Sequence, residues 1–192
     1  IKTPEDFAKP CELAVRGLDA LLTYQNYPVK AAKNATAGRR PLGVGIINLA
    51  YWMAKNEMTY TQPDLEMIDE FAEAWSYYLI KASADLAEEQ GACLWSDQTK
   101  YHNGLTPNQT YKQDVDELVP HKERMPWREL RDQLKRTGIR NSTLMALMPA
   151  ETSAQISNAT NGIEPPRSLV SVKQSKHGIL KQVVPSIHKL KN

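Results

Sequence analysis

The stretch Asn141–Pro166, NSTLMALMPAETSAQISNATNGIEPP, decides how this chain is read. Leu144–Met148 is an apolar run of strand length, and Pro149, with no N–H to give to a ladder, ends it. Small hydroxyl residues follow at Thr152, Ser153 and Ser157, and Gly162-Ile163-Glu164-Pro165-Pro166 closes the stretch as a turn. A strand, a break and the start of a short helix would set several unpaired backbone N–H groups side by side. Proteins build phosphate pockets in this way.

Immediately upstream, Trp127–Thr137 alternates apolar and charged residues at helical spacing and stops at Gly138, which predicts an amphipathic helix. Gln62-Pro63-Asp64 predicts the start of a longer helix reaching Gln90, with Leu65, Ile68, Phe71, Ala72, Trp75, Leu79, Ala82 and Leu86 as its buried stripe and Gly91 as its stop. At about 1.5 Å per residue it would be about 40 Å long, which suits an element flanking a large sheet or barrel. Tyr77 and Tyr78 are neighbours in sequence, so helical geometry is expected to send them to different faces as ordinary half-buried tyrosines. Gly91–Pro126 reads as a surface excursion with one weak helix, Tyr111–Val119.

Nearer the start, Thr3-Pro4-Glu5-Asp6 is a helix-start pattern, and Leu13, Leu18, Leu21 and Leu22 supply one apolar face. Pro10 implies a kink, or a proper start near Lys9. Lys30–Arg40, basic and rich in small residues, is expected to be a loop. Leu42–Ile46 reads as a buried strand leading into a helix over Ile47–Lys55, with Gly43 and Gly45 permitting close backbone approach. Downstream of the opening stretch, Leu169–Val172 and Ile179–Val184 read as strands joined by Lys176-His177-Gly178.

Bulk properties narrow the function classes. With 192 residues, 41% hydrophobic, 24% charged and net charge +2, the chain suits one domain with a sizeable core. No apolar run approaches the roughly 18 residues of a membrane span, and no leader pattern opens the sequence, so a soluble, cytoplasmic protein without membrane contacts is expected. Cys11 and Cys93 are far apart, and the four histidines fall into no ligand spacing; neither a disulfide scaffold nor a metal site is expected. Residues 167–192 hold six basic residues and no acidic one, leaving the remainder net negative. That end lacks interleaved aromatics, so it reads as a solvated positive surface, or one attracting an anionic substrate, and nucleic acid is not an expected partner.

Trp127, Leu130, Gly138-Ile139-Arg140-Asn141, Ala146 and Pro149 together resemble the signature of the large, catalytic (alpha) subunit of class I ribonucleotide reductase. The run Met148–Pro166 is similar to the same family, as are Gly38-Arg39-Arg40-Pro41-Leu42-Gly43-Val44-Gly45 and Glu89-Gln90-Gly91-Ala92-Cys93. The resemblance covers essentially the whole chain. It implies an α/β fold, a portion of the family's ten-stranded α/β barrel with strands alternating with long outer helices. Residues 1–192 would then form a single partial domain, with 167–192 as a strand-rich end that stops short.

The resemblance further implies that Pro149, Ala150, Glu151, Thr152 and Ser153 form the substrate-binding loop for the diphosphate of a ribonucleotide. Thr152 and Ser153 would offer hydroxyls, and the N–H groups of Ala150 to Ser153 could converge on one anion. Glu151 has the wrong sign for a phosphate ligand, so its backbone is expected to face the ligand while its carboxylate turns away. In the family the radical cysteine, its Asn and Glu neighbours and the reducing cysteine pair precede Ile1, while the tyrosine relay and tail cysteines follow Asn192. No catalytic residue is expected here, and Cys11 and Cys93 read as packing thiols.

The implied activity is that of a ribonucleoside-diphosphate reductase, with the isolated chain inactive. The complete enzyme would take a radical from a metal-containing small subunit, electrons from thioredoxin or glutaredoxin, and ATP or dNTP effectors. The implied partners are the remaining segments of the large subunit, the small subunit and a ribonucleoside diphosphate. The chain would be a fragment or one product of a split gene. The alternative is a non-catalytic remnant that binds a nucleotide or a partner.

Overall fold

The Asp6 carboxylate accepts the N–H groups of Lys2 (2.6 Å) and Thr3 (3.0 Å), and the 3-10 turn Pro4–Phe7 feeds directly into the first α-helix. The computed structural model describes residues 1–176 and 178–189. Their helices are α1 (Ala8–Tyr24), α2 (Lys30–Arg39), α3 (Leu49–Lys55), α4 (Leu65–Gln90), α5 (Pro107–Thr110), α6 (Trp127–Thr137) and α7 (Glu151–Ile156). The one named sheet pairs β1 (Val170–Ser175) with β2 (Gly178–Val183) in antiparallel register, Val170 opposite Val183 and Val172 opposite Lys181. His177, expected in the turn between them, lies outside the described residues.

The chain divides into two compact units. The first joins Ile1–Val44 to Leu65–Met145; the second joins Gly45–Asp64 to Ala146–Asn192. In the first, α1 and α6 both pack on α4. Cys11 and Val15 of α1, Leu79, Ile80 and Leu86 of α4, and Trp127, Leu130 and Leu134 of α6 make the core, joined by Leu42, Ile139 and Leu144. Each buried aliphatic side chain contributes about 1.5–3 kcal/mol. From Ala74 onward α4 is buried on several faces, whereas Leu65 and Ala72 of the expected stripe are exposed. Tyr77 and Tyr78 do touch, ring edge to ring face at 5.3 Å, which corrects the expectation that they diverge. Tyr77 also meets Trp127 edge-on at 5.1 Å.

α6 is anchored by one carboxylate. Glu73 Oε1 accepts the Trp127 indole N–H (2.8 Å) and the backbone N–H groups of Arg124 (2.8 Å) and Met125 (3.2 Å). That fixes the chain's entry into the helix, and three donors on one buried acid satisfy its charge.

Lys30–Arg40 is not the expected loop but α2. Its alanines favour helix, and Arg40 ends it in the left-handed region at φ 45°. That strained residue is held by a buried network. Arg40 Nε donates to Asp19 Oδ1 (2.6 Å), and its Nη2 donates to the Asp19 carbonyl (2.7 Å) and Thr23 Oγ1 (2.8 Å). Asn141, 0% exposed, gives its amide N–H2 to Asp19 Oδ1 (2.9 Å) and the Arg40 carbonyl (3.0 Å), and its Oδ1 accepts from Ser83 Oγ (2.9 Å). Arg140 Nε reaches Asp19 Oδ2 at 3.2 Å. Burial alone would raise the Asp19 carboxyl; hydrogen bonds from Arg40 and Asn141, and the charges of both arginines, outweigh it and hold the group below its ordinary value.

The strands expected at Leu42–Ile46 and Leu144–Met148 reduce to a parallel bridge, Val44 with Met145. Leu42 N–H bonds the Thr143 carbonyl (2.9 Å) and Val44 N–H the Leu144 carbonyl (2.7 Å). Among the described residues no third strand lies beside this pair, so no ladder propagates, and the chain is mixed helix with one small sheet rather than a closed barrel. The weak helix expected over Tyr111–Val119 is a 3-10 turn, Gln113–Glu117.

In the second unit, Gly45 does permit close approach: a Cβ there would lie 2.5 Å from the Ala146 carbonyl oxygen and 2.7 Å from Met148 Sδ. The hairpin exposes Val170, Val172, Ile179, Leu180 and Val183. Tyr51 of α3 hydrogen-bonds Ser186 Oγ beyond it at 2.7 Å.

Candidate functional site

Pro149 breaks the chain after Met148, and Ala150 caps α7 with φ −130° and ψ 39°. Glu151, Thr152 and Ser153 are the first turn of that helix, whose leading N–H groups have no acceptor within it. Ala154 N–H makes the first intrahelical bond, to the Ala150 carbonyl (2.8 Å). Thr152 and Ser153 are exposed, and among the described residues neither hydroxyl donates a hydrogen bond. The Ala150 N–H is already engaged: it donates to Asn161 Oδ1 at 2.7 Å. The donors left for an anion are therefore three amides and two hydroxyls, one amide fewer than the sequence suggested.

The Glu151 carboxylate pairs with Lys173 Nζ of β1, and that hydrogen bond and charge lower its pKa below the ordinary carboxylate value. Pro149, Glu151, Thr160, Asn161, Arg167 and Lys173 share the walls of a cleft of about 570 Å3; Ala150, Thr152 and Ser153 do not line it. Thr160 is buried and its Oγ1 has no partner, and neither has Gln155 Nε2 in α7.

The loop is held from behind by asparagines that periodicity does not single out. Asn48, at φ 72°, donates its N–H to the Thr160 carbonyl and accepts the Thr160 N–H on Oδ1, each at 2.9 Å. Leu49 N–H bonds the Gly162 carbonyl (3.3 Å), and Tyr60 OH bonds the Ile163 carbonyl (2.6 Å). Burial, then the nearby charge of Glu164, raises the Tyr60 phenol. Asn158, left-handed at φ 49°, closes α7, with Ala159 N–H returning to the Ala154 carbonyl (2.8 Å). An asparagine between an apolar run and a helix was the available signal for Asn48; Lys173 had none.

Both thiols are buried. Burial pushes Cys11 up to about 12, and it also raises Cys93 against the lowering effect of its backbone hydrogen bonds. Such thiols are poorly ionised and suit packing. Among the described residues no group of three His, Cys, Asp or Glu side chains converges as a metal site, and no helix is long and apolar enough to cross a membrane.

Comparison with known sequences gives this geometry a family. The chain is 50% identical over 192 residues to the ribonucleoside-diphosphate reductase subunit alpha of Buchnera aphidicola subsp. Acyrthosiphon pisum, covering all of this chain and 25% of that protein. It is 54% identical over 178 residues to the subunit alpha of Haemophilus influenzae (92% of this chain, 24% of that protein). It is 48% identical over 176 residues to that of bacteriophage T4 (92% and 23%). The chain thus spans about a quarter of the length of the curated relatives it matches. Residues 2–192 match the family described as ribonucleotide reductase, barrel domain, and to that family the chain belongs.

Proposed function

We propose that this chain is part of the catalytic alpha subunit of a ribonucleoside-diphosphate reductase and supplies the loop that holds the substrate's diphosphate. The observation that carries the activity is the 48–54% identity to subunits alpha of that enzyme over nearly the whole chain. The loop assignment is supported by the unpaired amides of Glu151, Thr152 and Ser153, the two free hydroxyls, and the diversion of the Glu151 carboxylate to Lys173. The loop positions the diphosphate by charge-assisted hydrogen bonds and leaves the ribose to other parts of the subunit.

The reduction itself is radical chemistry, carried by cysteines in parts of the subunit that this chain does not span. Cys11 and Cys93, buried and poorly ionised, do not serve it. The partners are the rest of the large subunit, a radical-generating, metal-containing small subunit and thioredoxin or glutaredoxin, under ATP and dNTP control in the cytoplasm. Both compact units serve as parts of one partial barrel domain, with 167–192 as its basic end.

The test is calorimetric titration of a ribonucleoside diphosphate into the subunit completed with the segments its relatives carry. Replacing Thr152 and Ser153 together by Ala is expected to weaken binding by about 2–4 kcal/mol. Unchanged affinity would sink the loop assignment.

A further inference from the structure

The first unit contains a second cleft, of about 370 Å3, whose lining includes Arg39, Gln98, Lys100 and Ser142 and no acidic residue. Its size lies at the small end of the roughly 300–1,000 Å3 typical of ligand pockets. Arg39 is held at its edge by a built platform. Its guanidinium lies over the Trp95 ring, 5.4 Å from the centroid. Trp95 in turn packs against the backbone at Gly38, where a Cβ would lie 2.6 Å from the indole, and its N–H bonds the Gly38 carbonyl at 2.8 Å. The glycine admits the indole, and the indole holds the arginine.

That arginine is nevertheless almost unused. Its one side-chain hydrogen bond is a long one, Nη2 to Gln98 Oε1 at 3.5 Å, and among the described residues it forms no ion pair. The Lys100 ammonium, too, has no hydrogen-bond or ion-pair partner among the described residues. Ser142 donates its backbone N–H to the Arg39 carbonyl (2.9 Å), while its buried Oγ has no partner. The contrast with Arg40, next in sequence and fully bonded to Asp19 and Thr23, is sharp. A buried hydroxyl without a partner costs free energy, and unpaired cations beside it complete an anion's coordination.

We propose that this cleft is a binding site for a phosphate group, with Arg39 and Lys100 neutralising it and Ser142 Oγ hydrogen-bonding one oxygen. The planar guanidinium on its indole shelf can present paired N–H donors to a tetrahedral anion, while Lys100 acts as a point charge. Every lining residue of the site belongs to the first unit, and none is shared with the Pro149–Ser153 loop.

Backbone amide shifts of the isotopically labelled full chain, followed by NMR during titration with inorganic pyrophosphate and separately with ADP, test it. Saturable shifts at Arg39, Lys100 and Ser142 are expected, weakened about tenfold in Arg39→Gln and in Lys100→Gln and less in Ser142→Ala. Equal affinity for pyrophosphate and ADP identifies a free-phosphate site, and tighter ADP binding a nucleotide's phosphate; either supports the proposal. Shifts at Glu151–Ser153 report the other loop, so failure of one assignment is read separately from failure of the other. The proposal is overturned if the three amides move equally with potassium chloride at matched ionic strength, or if the Arg39→Gln, Lys100→Gln double variant titrates like wild type. A response to an oligoglutamate peptide alone overturns it in favour of an acidic protein segment.

Discussion

Two polar regions of this molecule have nearly the same ingredients and opposite character. Around Asp19, two arginines and an asparagine meet one carboxylate, a serine holds the asparagine in turn, and nearly every polar atom is spoken for. Around α7, a carboxylate, a lysine, asparagines and hydroxyls also gather, yet first-turn amides, two exposed hydroxyls and the buried Thr160 Oγ1 are left over. The first is closed and fixes the path of the chain; the second keeps donors without partners, as the proposed loop requires. Polar residues mark function when their bonding capacity is incomplete, not when they are merely clustered.

Breaking the closed region should have the largest effect. Asp19→Ala leaves Arg40 and Arg140 facing each other without their acid, and a loss of about 3–5 kcal/mol in urea unfolding is expected, a large share of the roughly 5–15 kcal/mol of a typical domain. The open region should behave inversely. The Thr152→Ala, Ser153→Ala variant that weakens diphosphate binding should keep its unfolding midpoint within about 0.5 kcal/mol of wild type. A large stability loss there would mean the hydroxyls are structural after all.

Acid sharpens the same contrast. The folded-state pKa of Asp19 is depressed, so the unfolded chain takes up its proton first as pH falls. Its contribution is complete above the ordinary value of 3.8 and is lost as pH drops through the depressed one. The stability gap between wild type and Asp19→Asn, followed by thermal melts, should therefore narrow below about pH 4 and stay constant above it. A gap that narrows on the alkaline side would contradict the network.

The smallest effect is expected at Lys173→Met. Its pair with Glu151 is about half exposed, so stability should change by no more than about 1 kcal/mol. Diphosphate affinity should fall several-fold, because the released carboxylate repels the ligand, and Glu151→Gln in the same chain should restore it. Failure of that rescue would detach Lys173 from the loop.

How much of this was legible in the sequence follows from what each element depends on. α6 and most of α4 obey a local rule, apolar spacing between a start signal and a glycine stop, and both appear where the pattern puts them. The hairpin does too, although its first strand runs three residues past the expected Val172, to Ser175. α2 was missed because Lys30 and Val29 give no capping signal, while its alanines and the Asp19 grip on Arg40 sustain it. The parallel strands were over-read because a strand exists only through its neighbours, and Leu42–Ile46 has one short partner among the described residues. At the proposed loop, the diversion of the Ala150 amide to Asn161 depends on a turn eleven residues on. The Glu151–Lys173 pair likewise depends on hairpin register, which no local pattern encodes.

The complete burial of Asn141 has a practical corollary. Asn141-Ser142-Thr143 is an acceptor triplet for N-linked glycosylation, and in a secretory host the transferase meets the chain before it folds. A glycan on that side chain could not coexist with its bonds to Asp19, Arg40 and Ser83, so each molecule modified there would be barred from the native state. The same triplets at Asn34 and Asn158 stand on the surface and would carry sugar without that penalty. Production of this chain through a secretory route would thus be limited by one buried asparagine, and replacing Thr143, whose side chain is exposed, is the change that spares it.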